Sequence, residues 1–136
     1  MQIRKFLQRN PFKPFSAAVS PKFPLETPVG QLKSVAVENP LKDAVRFNSQ
    51  DYNWTYKELD TYSSAFAFGL MENGFVPGER LLLWVDLTAS AEILVAQLGA
   101  LKAGLSIVLF EGATPDAALE SSGAEGLLFS PDTQHG

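Results

Sequence analysis

Three short apolar runs, separated by helix-forming segments, constrain the fold of this chain more than any other feature. The runs occupy residues 81–85, 106–110 and 126–129. Runs this short and continuous are typical of strands buried on both faces of a sheet. The segments between them, residues 89–103 and about 114–122, are rich in helix formers, and a glycine follows each. This succession predicts an α/β fold, a parallel βαβαβ sheet covered by helices with right-handed crossovers.

A longer helix is predicted ahead of the first of these strands. Thr55 and Glu58 have the T-x-x-E spacing of a capping box, and Asn73-Gly74 supplies a stop. Residues at three- and four-residue spacing form its predicted buried stripe, namely Leu59, Tyr62, Ser63, Phe66, Ala67 and Leu70. Residues 44–47 and 52–54 flank a polar turn, which predicts a small β-hairpin before the helix.

The first 36 residues are predicted to form a basic, proline-rich arm. Residues 1–25 contain five basic and no acidic residues, whereas the remainder contains six basic and fifteen acidic residues. Ile3, Phe6 and Leu7 lie at helical spacing and predict a short basic amphipathic helix, and the prolines from position 11 to 28 predict an extended segment. We therefore divide the chain into residues 1–36, a globular domain at 37–130 and a polar tail at 131–136.

The arm has the composition of a mitochondrial transit peptide. This predicts a mitochondrial protein, in the matrix or on the matrix face of the inner membrane. The alternatives are a solvated basic tail, or an arm that lies on an acidic partner or an anionic membrane surface. Residues 91–110 are mostly apolar, but Glu92, Gln97 and Lys102 interrupt them and Gly104 divides them, so we predict a helix and a strand there and no transmembrane helix.

Composition excludes several classes of chemistry. The chain has no cysteine, which excludes a disulfide framework and Cys-ligated zinc or iron–sulfur sites, and its single histidine, His135, makes a His-based metal centre improbable. The net charge of −4 offers no global basic field for nucleic acid. With 46% hydrophobic residues, the chain is expected to fold around a core.

Several segments, in the same order along the chain, resemble the adenylate-forming superfamily, which includes acyl-CoA synthetases, other AMP-binding enzymes and luciferases. Residues 54–60, Trp-Thr-Tyr-Lys-Glu-Leu-Asp, resemble its first box, and residues 101–110, which begin Leu-Lys-Ala-Gly, resemble its second. Residues 39–47, 73–81 and 121–129 resemble the stretches before, between and after these boxes. The resemblance covers residues 37–130 and is specific for fold ancestry.

The resemblance also implies what the catalytic groups are. In that family a Ser/Thr/Gly-rich loop with a following lysine holds the ATP phosphates, a later glutamate holds magnesium, a later aspartate holds the ribose, and a lysine on a separate C-terminal domain serves adenylation. No segment of these 136 residues resembles T-S-G-T-T-G-x-P-K. We therefore expect an N-terminal fragment truncated before the ATP-binding loop, not itself an enzyme, with no catalytic, cofactor-binding or metal-binding residue and no cofactor.

Three features are nevertheless candidate sites. Asp86 and Glu111 each follow a predicted buried strand, where a paired-carboxylate or metal site is possible, although capping of the next helices is the favoured interpretation. Gly112–Thr114 could offer backbone N–H groups to an anion, but one glycine and a proline make a poor cradle. Aromatic residues that could stack a base, or simply pack the hairpin on its helix, are Tyr52, Trp54, Tyr56 and Tyr62. His135 is assigned no role.

Two functions are compatible with these observations. The first is a non-catalytic accessory subunit of a large mitochondrial assembly, such as a respiratory-chain or ATP-synthase complex. It would be held by other protein subunits, with peripheral contact between its arm and an anionic membrane and no contact with nucleic acid. The alternative is the N-terminal half of a split acyl- or aryl-CoA ligase, or a residual acyl- or nucleotide-binding module.

Overall fold

The computed structural model of the chain describes residues 2–5, 27–48, 51–84 and 91–129. Strands and helices alternate along most of this length. In chain order they are β1 (Gln2–Lys5), α1 (Pro28–Glu38), β2 (Asp43–Phe47), β3 (Tyr52–Thr55), α2 (Tyr56–Glu72), β4 (Arg80–Trp84), α3 (Ala91–Lys102), β5 (Ser106–Phe110), α4 (Asp116–Ser122) and β6 (Gly126–Phe129).

The main sheet has four strands in the order β1-β6-β4-β5. The central strand β4 pairs in parallel with β5 on one side and with β6 on the other, so that Leu82 lies opposite both Val108 and Leu127. The predicted α/β fold with a βαβαβ core is thereby confirmed. β2 and β3 form the predicted small hairpin as a separate two-stranded antiparallel sheet.

The sheet is packed on both faces. On one face, Leu81, Leu83 and Leu128 join a cluster with apolar residues of α2 and α3. On the other face, Leu82, Leu127 and Phe129 form a second cluster, against which Ala118 and Leu119 of α4 pack. Alternate residues of each strand therefore serve opposite faces, as the pleat of a strand requires.

The start of α2 forms as its sequence predicts. Thr55 Oγ1 accepts a hydrogen bond from Glu58 N at 3.2 Å, and Glu58 Oε2 accepts one from Thr55 N at 2.8 Å, which completes the capping box. Most of the predicted stripe is buried, including Leu59, Ala67 and Leu70. Tyr62 differs, since it is 42% exposed and contacts the hairpin rather than the core.

The N-terminal helix predicted around Ile3 is wrong at residues 2–5, which form β1. β1 pairs antiparallel with β6, and Ile3 lies opposite Leu128. A helix this short is marginal by itself, whereas the open edge of β6 offers a backbone partner for every residue of a strand. Ile3 packs against the core and the Arg4 guanidinium lies 5.2 Å from the centre of the Phe129 ring. The other residues of the predicted helix and most of the predicted arm lie outside the described residues.

The arm is also shorter than predicted, because the chain is already helical at Pro28. Thr27 caps α1 by accepting a hydrogen bond from Gly30 N at 3.0 Å. Proline suits the first position of a helix, where its missing N–H has no intrahelical partner in any case. Pro28 therefore begins a helix instead of continuing an extended segment to residue 36.

The predicted helix termini near α4 need one correction. The helix predicted from about residue 114 begins at Asp116, and its N-cap is Pro115, without a side-chain hydrogen bond. Gly123 adopts the left-handed conformation expected of a helix stop, with φ 65°. Within the described ranges, every helix is too short or too polar to cross a membrane.

Candidate functional site

The carboxyl ends of the three parallel strands meet at one edge of the sheet. Trp84 ends β4 and lies between Phe110, which ends β5, and Phe129, which ends β6. Open α/β sheets bind ligands beyond this edge. The Trp84 indole Nε1 donates a hydrogen bond to the Gly112 carbonyl oxygen at 2.8 Å, so the loop after β5 is held against the end of β4.

Only part of the predicted pair of carboxylates can be placed. Glu111 is exposed and directly follows β5, at the carboxyl edge of the sheet as predicted. Asp86 lies outside the described residues, so the pairing of Asp86 with Glu111 stays a prediction. Among the residues that the structure describes, no group of three histidine, aspartate or glutamate side chains could hold a metal ion.

The loop at Gly112–Thr114 is exposed. An anion site needs backbone N–H donors, but the hydrogen bond described for this loop uses a carbonyl oxygen as the acceptor. Gly112 presents its carbonyl to Trp84, so it acts as an acceptor. A Cβ at Gly112 would lie 2.7 Å from Phe110 Cζ, at the tip of that ring, so the Phe110 ring would have to shift to admit a side chain there.

The predicted aromatic cluster forms in part. The Trp54 ring meets the Tyr62 ring edge to face, with centroids 5.1 Å apart. Trp54 also contacts Phe47, and the centroids of these two rings lie 5.4 Å apart. Phe47 was not among the residues predicted for the cluster. Alternation of Val45 and Phe47 along β2 is the signal that could have identified it. The Trp54–Tyr62 contact joins the hairpin to α2, as expected if these rings pack the hairpin on its helix, and the Phe47–Trp54 contact lies between the two strands of the hairpin.

An open groove of about 710 Å³ lies beside these rings, between β3, α2 and α3. The residues that line it are Asn53, Trp54, Glu58, Tyr62, Phe66, Glu92 and Val95. Glu58 Oε2 is already engaged, because it accepts hydrogen bonds from both the Thr55 N and Oγ1. The groove thus combines aromatic walls with the carboxylate of the α2 capping box and that of Glu92.

A cluster around Lys102 joins the two sequence boxes. The Lys102 Nζ donates to Asp60 Oδ1 at 2.6 Å, to the Asp60 carbonyl oxygen at 2.9 Å and to Ser64 Oγ at 2.8 Å. The Lys102 side chain is 11% exposed, so the charge is largely shielded from water. In the sequence, Lys102 stands out only as a charge that interrupts the apolar stretch 91–110 and as a member of the second box. The cluster connects α2 and α3 and is consistent with a structural role of both boxes.

His135 lies outside the described residues, so nothing in the structure bears on its environment. The sites that the structure brings together are therefore the carboxyl edge of the sheet at Trp84 and Gly112, and the groove beside Trp54 and Tyr62. The first has the location that α/β folds use for ligands, and the second has aromatic walls.

Comparison with known proteins places residues 32–126 in one family model, described as AMP-binding enzyme. Surfactin synthase subunit 1 of Bacillus subtilis (strain 168) is 36% identical over 110 residues, which cover 77% of this chain and 3% of that protein. The fatty acid AMP ligase from Legionella pneumophila has a TM-score of 0.67 at 23% identity, covering 84% of this chain and 22% of that one. A Mycobacterium tuberculosis fatty acyl CoA synthetase has a TM-score of 0.68 at 23% identity, with 79% and 22% covered. The chain thus spans a small part of the length of each of these relatives.

Proposed function

The chain belongs to the AMP-binding enzyme family, and from that premise we propose that it forms the N-terminal part of an adenylate-forming ligase. The observation that carries the proposal is the family match over residues 32–126, which includes both boxes and the parallel strands β4 and β5. Relatives described as a surfactin synthase, a fatty acid AMP ligase and a fatty acyl CoA synthetase support a carboxylic acid as the substrate class.

The proposed reaction activates that acid with ATP. A carboxylate oxygen attacks the α-phosphorus, a new O–P bond forms, and the bond to the pyrophosphate oxygen breaks, giving an acyl-adenylate and pyrophosphate. The charge that develops on the phosphates must be stabilised by positioned donors. The 136 residues contain no segment like the family's phosphate-binding loop, so under this proposal the donors come from the remaining polypeptide of the ligase.

In this role the chain contributes shape and rigidity. Trp84 fixes the loop at Gly112 over the carboxyl edge of the sheet, and Lys102 fixes α3 to α2 through Asp60. Both contacts hold a surface in place without taking part in the transfer itself. A rigid scaffold matters because small displacements of reacting groups lower the rate of an oriented reaction strongly.

ATP–pyrophosphate exchange tests the proposal. The tagged chain is purified from its own source with everything bound or joined to it, and exchange is measured with a panel of fatty, aromatic and amino acids. We expect acid-dependent exchange in that assembly and none above a buffer blank for the 136 residues alone. An assembly that contains no adenylate-forming polypeptide and shows no exchange would contradict the proposal.

The charge asymmetry of the chain favours a second candidate function, a non-catalytic accessory subunit of a mitochondrial complex held by other subunits. Residues 1–25 contain five basic and no acidic residues, a composition suited to import and to contact with anionic membranes. Subcellular fractionation with native mass analysis tests this candidate. Recovery in a large mitochondrial complex that lacks ligase activity would favour it, whereas recovery outside mitochondria would eliminate it.

A further inference from the structure

The groove beside Trp54 and Tyr62 has no part in the proposed function. Glu58, Tyr62 and Phe66 follow one another at four-residue spacing along α2, so they line one stripe about 12 Å long. Trp54 of β3 lies beside this stripe, and the Tyr62 side chain is 42% exposed. The groove therefore offers an elongated strip of accessible aromatic surface.

The groove is also acidic. Both charged residues that line it are glutamates, Glu58 and Glu92, and the described lining includes no basic side chain. Glu92 lies exposed in the first turn of α3, and the ion pairs among the described residues do not include it. Aromatic rings next to carboxylates favour a ligand that combines apolar surface with positive charge.

The N-terminal part of this chain contains a segment with those properties. Its sequence is Pro11-Phe12-Lys13-Pro14, which has P-x-x-P spacing and a lysine between the prolines. Segments of this kind favour the polyproline II conformation and dock in grooves lined by aromatic residues. At about 3.1 Å per residue the two prolines would lie about 9 Å apart, within the length of the stripe on α2.

A second P-x-x-P segment, Pro21–Pro24, is less able to reach the groove. It ends three positions before Thr27, the cap of α1, so it can extend only about 10 Å from that point. The described residues that line the groove include none from α1. The first segment begins six positions after β1 and ends 13 positions before Thr27. Extended connections of those lengths span about 19 Å and 40 Å.

We infer that Pro11–Pro14 of this chain occupies the groove, with its prolines against the rings of Trp54 and Tyr62 and Lys13 beside Glu92. Residues 1–25 contain five basic and no acidic residues, whereas residues 26–136 contain six basic and fifteen acidic residues, so the two parts attract each other. Attachment to the same polypeptide also gives the segment a millimolar effective concentration. The inference does not rest on the proposed function.

Nuclear magnetic resonance of the 136-residue chain tests the inference. The chain has two tryptophans, so the indole N–H of Trp54 reports on the groove and that of Trp84, at the carboxyl edge of the sheet, is an internal reference. A peptide with the sequence of residues 9–16 is titrated into each variant. Pro11→Ala with Pro14→Ala should vacate the groove, and the apparent affinity for the peptide should then rise at least 10-fold over the unaltered chain, where the peptide must compete.

Two matched controls separate the segment and the charge from general effects. Pro21→Ala with Pro24→Ala should bind the peptide as weakly as the unaltered chain, and equal gains for both proline pairs would overturn the assignment to Pro11–Pro14. With the groove vacated, Glu92→Lys should weaken peptide binding at least 3-fold. Glu120→Lys makes the same charge change at an exposed position of α4, on the opposite face of the sheet, and should leave the affinity unchanged.

The remaining outcomes also decide the inference. A Trp54 signal that neither the proline substitutions nor millimolar peptide moves would overturn it, whatever the result of pyrophosphate exchange. A dimer that Pro11→Ala with Pro14→Ala dissociates would place the segment of a second copy in the groove and overturn docking within one chain. Circular dichroism verifies folding of each variant. Nuclear Overhauser contacts between Pro14 and the Trp54 ring are expected in the unaltered chain, and their absence would contradict the inference without any variant.

Discussion

Lys102 shows how one polar side chain can join two helices. Its amine makes three hydrogen bonds to Asp60 and Ser64, and little of it reaches solvent. A shielded charge is stable only when such partners satisfy it. Lys102 and Asp60 are 42 positions apart in the sequence, so no local sequence pattern predicts their contact. From the sequence, Lys102 could be recognised only as a charge within an apolar stretch and as part of the second box.

Replacement of Lys102 by methionine should destabilise the fold. The substitution keeps an apolar stem of similar length but removes the donor to Asp60, and a hydrogen bond to a charged group contributes roughly 1.5–3 kcal/mol. We expect the free energy of unfolding in urea to fall by about that amount. Lys33→Met, at an exposed position of α1, is the control and should change it by less than about 0.5 kcal/mol. Equal effects of the two substitutions would disprove the role assigned to the cluster.

Gly99 and Gly69 allow a sharper comparison, since both are helical glycines in different surroundings. A Cβ at Gly99 would lie 2.7 Å from Phe66 Cδ1 and 2.8 Å from the Ser63 carbonyl oxygen, whereas a Cβ at Gly69 would meet nothing within 4 Å. Gly99→Ala should lower the unfolding free energy by about 1–3 kcal/mol, because α2 and α3 must move apart. Gly69→Ala should raise it by about 0.5–1 kcal/mol through helix propensity. Thermal or urea unfolding measures both, and effects of the same sign would contradict the close approach of the helices.

At the scale of elements, the structure follows the sequence where local signals and tertiary packing agree. The strands β4, β5 and β6 and the capping box at Thr55 were all predictable, because hydrophobic runs and caps are local patterns. β1 was not, because Ile3 depends on Leu128, far along the chain. α1 was missed for a different reason. Proline is compatible both with an extended segment and with the first turn of a helix, and the Thr27 cap is the feature that identifies Pro28 as the start of a helix.

The capping box makes a quantitative prediction about α2. Thr55→Ala removes the oxygen that accepts from Glu58 N, and such a loss at an N-cap costs about 1 kcal/mol. Urea unfolding followed by circular dichroism should show that decrease. Thr61→Ala, at an exposed position inside the same helix, should leave stability unchanged or slightly raise it, since alanine is the better helix former. A decrease for Thr61→Ala as large as that for Thr55→Ala would mean that capping is not the cause.

For the whole molecule, the sequence and the structure lead to different expectations for the N-terminal segment. The basic composition of residues 1–25 predicts import into mitochondria followed by removal, whereas Gln2–Lys5 pair with β6 as a strand of the sheet. Removal of residues 1–25 would expose the backbone of β6 and uncover the core beside Ile3. An unpaired edge of fully apolar residues is a hazard for aggregation. The structure therefore favours retention of β1, whatever compartment the protein occupies.

Mass spectrometry of the protein from its own source distinguishes these roles, and we expect its N-terminal peptide to contain Gln2–Lys5. Deletion of residues 1–5 should lower the unfolding free energy by roughly 2 kcal/mol, because it removes the buried part of Ile3 and the hydrogen bonds of β1. Ile3→Val is the conservative control and should cost no more than about 1 kcal/mol, since it shortens the side chain by one methylene and keeps the strand. A mature chain that starts near residue 26 and unfolds with the stability of the full chain would mean that β6 needs no partner, and the four-stranded sheet would not be the working form of the protein.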